Sequence, residues 1–367
     1  MTSSPAPALR ETSRIQSHSR RAAQSGFALI VVLILVVVLT LLASMVALSG
    51  HYALLEAQAE RDTFEGELDM LSTRDTLLFM LSTQRQTVGG LTVEEYTVPP
   101  RVGSDEAGFE AVMPVGTEIR LDGRTYDGLG HARFSFQEDR GLISLGWPGP
   151  LLSAYLESLG ASPERHAGYL DKLTDYQDPD DLRHLDGAER EHYERAGIPG
   201  PSNQPLATPL ELRSVLGWKE LLATQEDRAL LGMLTVARGG AFNINTAPAN
   251  VLALIPGMDM ANAQRMVEVR NQAPFTSIYA AQSAFPLNAL GDEAFSLFAN
   301  RSGNLILWDR RSGPRRLVHW TLSSAPTGLP PWRIDYEIRL ARDEDPDQAL
   351  VTTPATPLFA KEGASGP

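Results

Sequence analysis

The first part of the chain changes abruptly from polar to apolar. Residues 1–26 contain four arginines and one acid, whereas residues 27–48 carry no charge and only two polar side chains, Thr40 and Ser44. These residues in a helix would extend about 33 Å, which matches the hydrocarbon thickness of a bilayer. Lipid leaves such a segment no option but a helix, because each backbone polar group must pair internally. The pattern therefore predicts a transmembrane helix over residues 27–48.

The charges on either side of this run predict its orientation. Arginines precede it, and six acids but only one base lie between Glu56 and Asp69. By the positive-inside rule, the N-terminus is cytoplasmic and the rest of the chain is exported. A plain signal anchor shows the same pattern, so topology alone does not identify the class of protein.

The helical pattern continues beyond the apolar run. Phe64, Leu68, Leu71 and Leu78 recur at spacings that place them on one face of a helix. We therefore expect residues 49–83 to extend the same helix and to pack on a globular head.

Strand signals follow the long helix and return near the C-terminus. Within residues 84–150, Asp122-Gly123 predicts a two-residue hairpin, and residues 131–137 alternate as a further strand. Residues 301–343 contain three further strand patterns. The tail, 344–367, is rich in Pro, Ala and Thr, and this composition predicts disorder.

The segment between these strand regions, residues 151–300, has a helical pattern. Ser162 and Pro163 stand where an N-cap and a first helical residue are expected, and Thr208 with Glu211 has the spacing of a capping box. The order of the elements predicts a large all-α domain inserted between strands of one sheet.

Composition narrows the possible functions. The chain has 367 residues, a formal net charge of −13 and no cysteine. Disulfides and thiolate metal sites are therefore excluded, and the acidic balance argues against binding a polyanion such as nucleic acid. The sequence carries no nucleophile elbow, P-loop lysine or His-Glu-x-x-His motif, so a structural role is favoured over an enzyme.

An acidic stretch lies within the predicted insert. It holds eight carboxylates between residues 173 and 197, and crowded oxygen ligands of this kind suit Ca²⁺. The spacing is not that of an EF-hand. The alternative is structural, with Asp186 and Glu189 forming a capping box and Asp178-Pro179 an ordinary turn. His184 and His192 do not have the spacing of a usual zinc site and are interpreted as surface residues.

Residues 242–270 have the pattern of a helix-hairpin-helix or SAM-like unit. Pro256-Gly257 predicts the turn between two helices. DNA-binding versions carry a second glycine two residues after the first, so that backbone amides reach phosphate, but this chain has Asp259 there. A packing module is therefore favoured. The alternative is an exported DNA-binding or DNA-uptake pilin that uses this segment.

The junction before the apolar run resembles the class III signal of type IV pilins and pseudopilins. The matching sequence is SGFALIVVLILVVVLTLLA, residues 25–43. In that family a prepilin peptidase cuts after a glycine, and the matching bond here is Gly26–Phe27. Most members carry Glu at the fifth mature position, where this chain has Val31. K-type minor pseudopilins resemble this chain in lacking that Glu. The resemblance implies that residues 1–26 are a cleaved cytoplasmic leader and that the subunit caps a filament tip.

The middle of the chain is similar to the general secretion pathway protein K family of bacterial type II secretion. That family carries Leu-x-Asp-aromatic-x-Asp-x-Asp, then Gly-Ala-Glu and an aromatic residue, then Asn-x-Pro-Leu and Glu-Leu. The matching residues here are Leu173, Asp175, Tyr176, Asp178, Asp180, Gly187, Ala188, Glu189, Tyr193, Asn203, Pro205, Leu206, Glu211 and Leu212. The run 243–248, Asn-Ile-Asn-Thr-Ala-Pro, matches as well.

This resemblance implies an α+β, pilin-like fold, in which the long N-terminal helix packs on a small antiparallel sheet with the helical domain inserted. It implies a minor pseudopilin of the inner membrane with a periplasmic C-terminal domain. The expected partners are the other minor pseudopilins, the major pseudopilin, prepilin peptidase and the secretion platform. The family binds calcium in the inserted domain, and the implied candidate ligands are Asp175, Asp178, Asp180, Asp186 and Glu189.

Overall fold

The computed structural model describes residues 19–93, 112–311, 313–323, 328–342, 354 and 356–359. The predicted leader, residues 1–26, lies mostly outside these ranges. The chain divides into two units after Phe64, and each unit is described by itself.

The described part of the first unit is helical. Helix α1 is Ser19–Thr83 and includes the whole apolar run. Within the described residues, one helix is long and apolar enough to cross a membrane, with a mean hydropathy of 3.3 in its most apolar window. The two polar side chains of the run bond to their own helix, Thr40 Oγ1 to Val36 O at 2.7 Å and Ser44 Oγ to Thr40 O at 2.8 Å. A polar group satisfied in this way is tolerated in lipid.

The second unit is built on an antiparallel sheet of five strands in the order β3-β4-β7-β8-β9. Strand bounds are Gln86–Thr87 (β1), Gly90–Leu91 (β2), Asp122–Asp127 (β3), Ala132–Glu138 (β4), Ile143–Ser144 (β5), Leu234–Thr235 (β6), Ser302–Asp309 (β7), Arg315–Leu322 (β8) and Trp332–Leu340 (β9). The mixed architecture of a long N-terminal helix and an antiparallel sheet confirms the predicted α+β class.

The residues of α1 that belong to this unit cover one face of the sheet. Side chains that alternate along each strand point at the helix and form one buried cluster with it, including Met70, Leu77, Leu78, Met80, Leu81, Phe134, Phe136, Leu305, Leu307, Val318 and Trp320. Gly66 permits a close approach at the sheet end, because a Cβ there would lie 2.0 Å from Asp309 Oδ2. Burial of this apolar area is the main force that holds helix and sheet together.

Neighbouring strands β4 and β7 are connected through the inserted helical region. Its helices are Pro150–Ser158 (α2), Pro163–Gln177 (α3), Arg190–Ala196 (α4), Trp218–Leu221 (α5), Asp227–Met233 (α6), Ala249–Leu252 (α7), Met260–Gln272 (α8) and Ile278–Ala284 (α9). The region has its own buried core, which begins at Ile143 and ends at Phe295.

Three details of the predicted insert are wrong. The insert begins directly after β4 rather than at residue 151, because β5 pairs in parallel with β6 and belongs to the same core. For the same reason the insert is not purely α-helical. Pro209–Ser214, predicted as a capped α-helix, is a 3-10 helix in which Thr208 makes no side-chain cap.

The hairpin predicted at Asp122-Gly123 is also absent from the described structure. Strand β3 includes both residues without a turn between them. Gly123 has φ +84° and lies where the register between β3 and β4 shifts. The preceding Ile119 instead bridges to Leu91. A glycine with positive φ inside a strand marks a bulge as readily as a turn.

The tail predicted to be disordered contains a short ordered piece. Pro357–Phe359 form a 3-10 turn, and Phe359 is 5% exposed, with its ring centroid 5.8 Å from that of Phe134. An aromatic side chain can anchor a segment whose composition otherwise favours disorder. Most other residues of the tail lie outside the described part of the chain.

Candidate metal centre

The acidic stretch brings carboxylates together from the end of one helix and the start of the next. Asp175 lies in the last turn of α3 and is fully buried, Asp178 is the C-cap of α3, and Glu189 is the N-cap of α4. The connecting loop returns the chain to Asp175 so closely that a Cβ on Gly187 would lie 1.9 Å from Asp175 Oδ2. The glycine of the Gly-Ala-Glu motif is therefore required by the packing of this carboxylate.

Asp175 is the hydrogen-bonded centre of the cluster. Its Oδ1 contacts His184 Nδ1 at 2.5 Å and accepts from the His184 backbone N–H at 3.2 Å. The hydrogen bond to Asp175 raises the pKa of His184, so the imidazole carries more positive charge than a free histidine. Ligand atoms of Asp175, Asp178 and His184 lie within 4.8 Å of one another. His184 is thus part of the cluster rather than a plain surface histidine.

Glu189 and Asp178 supply carboxylate oxygens that lack partners. Glu189 is 7% exposed, and neither of its side-chain oxygens has a hydrogen-bond partner. Oδ1 of Asp178 is also buried without a hydrogen-bond partner. Burial raises the pKa of Glu189, and repulsion from the neighbouring aspartates raises it further. Burial, followed by Asp180 and Asp175, likewise raises the pKa of Asp178. Buried carboxylates without donors are costly unless a cation compensates them.

The remaining predicted ligands differ in their position. Asp180 lies close enough to raise the pKa of Glu189, but its Oδ1 also accepts the backbone N–H of Leu182 at 2.9 Å. Asp186 is held elsewhere, since it packs beside Gly168 and its backbone N–H donates to Asp171 at 3.0 Å. The capping-box alternative also changes, because the N-cap is Glu189, whose backbone N–H donates to His192 Nδ1 at 3.3 Å.

Two residues of this neighbourhood escaped the sequence prediction. Asp181 adds to the field that raises the pKa of Glu189. Asn203 Nδ2 lies 3.5 Å from Asp181 Oδ1, while Asn203 Oδ1 is buried without a partner. Asn203 has φ +49°, the one positive φ of a non-glycine residue in the described ranges. Asparagine adopts this left-handed conformation more readily than other non-glycine residues, and the signal that could have marked Asn203 is its place in the Asn-x-Pro-Leu motif.

The chemistry of these donors fits calcium. Several carboxylate oxygens and an amide oxygen are the hard ligands that Ca²⁺ takes in numbers of six to eight. A divalent cation would also remove the mutual repulsion that raises the pKa values of Glu189 and Asp178. The site joins α3, the loop after it and α4, so a bound ion would tie three separate pieces of the insert together.

The segment predicted as a helix-hairpin-helix unit contains two basic residues, and only Arg265 is exposed. Arg270 is 2% exposed and donates to the carbonyls of Ile244 and Ala247. Asp259 is the N-cap of α8 and accepts the Asn262 backbone N–H at 2.7 Å. Phosphate therefore finds neither a free arginine at Arg270 nor an uncapped helix start. The DNA-binding alternative is not supported.

Helix α1 begins with an apolar run, and its later residues pack on an antiparallel sheet. This is the architecture of pilin-like subunits. Two segments match family models described as Type II secretion system (T2SS), protein K, over residues 150–229 and 242–297. Both segments lie in the insert, and the first contains the acidic cluster. The insert thus matches the type II secretion system protein K family over both segments, and the chain is a minor pseudopilin in type II secretion.

One solved structure similar to this chain is the GspK-GspI-GspJ complex from enterotoxigenic Escherichia coli type 2 secretion system. The match has 14% sequence identity and a TM-score of 0.46, and it covers 77% of this chain and 99% of the other. No curated protein sequence matches the chain.

Proposed function

We propose that this minor pseudopilin occupies the tip of the periplasmic pseudopilus and that calcium orders its insert. Residues 27–48 would hold it in the inner membrane as a single span, with the N-terminus in the cytoplasm. The absence of charge in that run and the arginines before it support this topology. Val31 supports the tip position, because most pilins and pseudopilins carry a Glu here that neutralises the N-terminal amine of a neighbouring subunit.

The observation that carries the calcium proposal is a set of buried carboxylate oxygens without hydrogen-bond partners, namely both oxygens of Glu189 and Oδ1 of Asp178. With Asp175 they would hold the ion, and Asp180, Asp181 and Asn203 lie where they could complete its oxygen shell. The ion supplies positive charge that hydrogen bonding within the insert does not provide. By linking the C-terminus of α3 to the N-terminus of α4, it would stabilise the folded insert by its binding free energy.

The partners proposed for this chain are the other minor pseudopilins, with the major pseudopilin below them and the secretion platform in the membrane. A relative described in complex with GspI and GspJ supports the first of these. Prepilin peptidase is the proposed processing enzyme, acting at the Gly26–Phe27 bond. The function is mechanical and templating, so no turnover chemistry is assigned to any residue.

A thermal titration tests the calcium proposal. The full-length chain in lipid nanodiscs, stripped with a chelator, is titrated with Ca²⁺, Mg²⁺ and Zn²⁺ while its melting is followed. We expect Ca²⁺ to raise the melting temperature, since a ligand at a hundred times its Kd stabilises by about 2.7 kcal/mol. A larger response to Zn²⁺ than to Ca²⁺ would contradict the proposal, as would no response to any of the three ions.

A matched pair of variants sharpens this test. Glu189→Gln should raise the melting temperature of the metal-free protein, because it removes a buried charge that repels its neighbours, and it should abolish the calcium response. Glu191→Gln makes the same change in charge two residues away, on a side chain that is 85% exposed. We expect the control to behave as the wild type does. Equal calcium responses in both variants would remove Glu189 from the site.

Intact mass spectrometry tests the processing proposal separately. Chain expressed with prepilin peptidase should lose residues 1–26 and gain one methyl group on Phe27. Gly26→Leu should block this cleavage, because a side chain there obstructs access to the backbone. Cleavage at another bond, or unchanged processing of the variant, would refute this assignment.

A further inference from the structure

A pocket between the sheet and the insert brings three arginines together. It lies on the outer face of the sheet, the face that α1 does not cover, because its lining residue His319 alternates along β8 with Val318 and Trp320, which pack on α1. The pocket has a volume of about 470 Å³, which is in the range of small-molecule sites. The arginines that line it are Arg238, Arg301 and Arg333.

Each of these arginines reaches the pocket from a different part of the fold. Arg238 lies three residues after β6, and its stem packs so closely on Gly146 that a Cβ there would lie 2.8 Å from Arg238 Cγ. Arg301 directly precedes β7, and its carbonyl accepts the backbone N–H of Leu322 at 2.7 Å. Arg333 is the second residue of β9. Tertiary packing therefore fixes where the three side chains meet.

The acids at this pocket are already paired. Asp335 is the one acid among the described residues that line it. Its Oδ1 lies 2.6 Å from Arg333 Nε, and its Oδ2 lies 2.9 Å from His319 Nδ1. Asp139 is buried behind His319, with its Oδ2 3.2 Å from His319 Nε2. The two acids therefore have two cations bonded to them, Arg333 and His319.

The other two arginines have no such partner. The side chains of Arg238 and Arg301 are exposed, and neither makes a hydrogen bond or an ion pair with any residue in the part of the chain that the structure describes. Two positive charges are thus left at the rim of one concave site. Such a site favours a ligand with two negative charges.

The hydroxyl groups of the pocket donate elsewhere. Thr321 Oγ1 donates to Asp335 Oδ2 at 2.6 Å, and Ser302 Oγ donates to Asp139 Oδ2. This leaves the guanidinium N–H groups as the strongest donors for a ligand. Guanidinium groups bind phosphate oxygens through two parallel hydrogen bonds, and a phosphate monoester carries nearly two negative charges at neutral pH.

We propose that this pocket binds a phosphate monoester. Its phosphate oxygens would accept from Arg238 and Arg301, with Arg333 as the third cation, and the esterified group would contact the apolar wall formed by Leu206 and Val236. Because Arg238 belongs to the insert and Arg333 to the sheet, the ligand would link these two parts of the protein. A soluble ester and a lipid headgroup present the same phosphate group. The proposal is independent of the calcium site.

Calorimetric titration of the full-length chain in phosphatidylcholine nanodiscs tests the soluble form of the ligand. Calcium is omitted, because it binds phosphate itself. Glycerol phosphate is the probe, glycerol is its neutral counterpart, and acetate is an anion with a single charge. We expect saturable binding of glycerol phosphate, with acetate weaker by about tenfold or more and glycerol without binding, since charge-assisted hydrogen bonds are the stronger ones.

Variants then locate the binding. Arg238→Gln and Arg301→Gln should each weaken binding by about tenfold. Both should keep the melting temperature of the wild type, because neither side chain has a partner in the described structure to lose. Arg339→Gln removes the same charge from an exposed residue of β9 outside the pocket and should leave binding unchanged.

Sedimentation with sucrose-loaded vesicles tests the lipid form. The vesicles contain phosphatidylcholine alone or phosphatidylcholine with phosphatidate, whose headgroup is a phosphate monoester. Sedimentation with the phosphatidate vesicles that glycerol phosphate reverses and Arg301→Gln abolishes would assign a lipid headgroup. Binding of glycerol phosphate without such sedimentation would assign a soluble ester.

Three results would overturn the proposal. The first is the absence of both glycerol phosphate binding and phosphatidate-dependent sedimentation. The second is acetate binding as strong as that of glycerol phosphate. The third is equal binding by the Arg301→Gln and Arg339→Gln variants, which would place any observed site elsewhere.

Discussion

His319 is the residue from which the pH dependence of stability can be predicted most directly. It lies on the outer face of β8 and is 4% exposed. Its Nε2 is 3.2 Å from Asp139 Oδ2, and its Nδ1 is 2.9 Å from Asp335 Oδ2. Burial alone would lower the pKa of His319, but the hydrogen bonds to Asp139 and Asp335 outweigh it and raise the pKa to about 9. The imidazolium therefore connects β8, β9 and the start of the insert.

The sign and size of the effect follow from linkage. The histidine pKa is about 6.5 in the unfolded chain and about 9 in the folded one. Because the folded value is the higher one, this stabilisation is fully present below pH 6.5 and is lost as the pH rises through 9. A difference of that size corresponds to about 3 kcal/mol, since each pKa unit is worth 1.36 kcal/mol. This is a large part of the stability of an ordinary domain.

Urea unfolding of the full-length chain in nanodiscs, followed by tryptophan fluorescence, measures this quantity. Between pH 6.5 and 9.5 the free energy of unfolding of the wild type should fall by about 3 kcal/mol. His319→Gln should be less stable at pH 6.5 and nearly independent of pH across the window. His51→Gln, on an exposed residue of α1, is the control and should follow the wild type. Parallel pH profiles for wild type and His319→Gln would refute the reasoning.

Three further substitutions have predicted effects on stability, measured by thermal melting in the presence of excess Ca²⁺. Arg270→Met should lower the free energy of unfolding by about 3 kcal/mol, because two buried carbonyls lose a charged donor. Arg265→Met, on an exposed side chain, should lower it by less than about 1 kcal/mol. Equal losses of stability in the two variants would contradict the buried role of Arg270. Gly66→Ala should destabilise the protein despite the better helix propensity of alanine, because the added Cβ would collide with Asp309. A variant more stable than the wild type would show that this contact is not close. Phe359→Ala should lower the free energy of unfolding by about 3 kcal/mol through loss of buried area. An unchanged melting temperature would show that Phe359 does not anchor the tail to the sheet.

The parts of the fold that the sequence predicts well are those with a local periodic signal. The apolar run of α1 is unbroken, and the strand patterns near the C-terminus alternate in the way that a half-buried sheet requires. The start of the insert carries no such signal. It depends on the pairing of Ile143 with Leu234, which are far apart in the chain, so local pattern placed the boundary too late.

The candidate metal site is predictable in composition but not in membership. Asp186 and Asp181 are alike in the sequence, and only the path of the loop places Asp181 near Glu189 while Asp186 packs beside Gly168. Arg270 shows the same limit. It is basic and lies at the end of a helix, and both features favour exposure. Its guanidinium nevertheless donates to the backbone carbonyls of Ile244 and Ala247, in the loop before α7. Tertiary hydrogen bonds determine the position of both side chains, and such bonds produce no periodic pattern in the sequence.

Equilibrium dialysis against radioactive calcium is the measurement that tests the central claim most directly. The full-length chain in nanodiscs, at neutral pH and with excess Mg²⁺ to suppress surface binding, should take up calcium saturably. Glu189→Gln should lose that uptake, and Glu191→Gln should retain it. Uptake indistinguishable among the three proteins, or none above empty nanodiscs, would contradict a calcium-ordered insert and leave the acidic stretch as a loop of mutually repelling carboxylates.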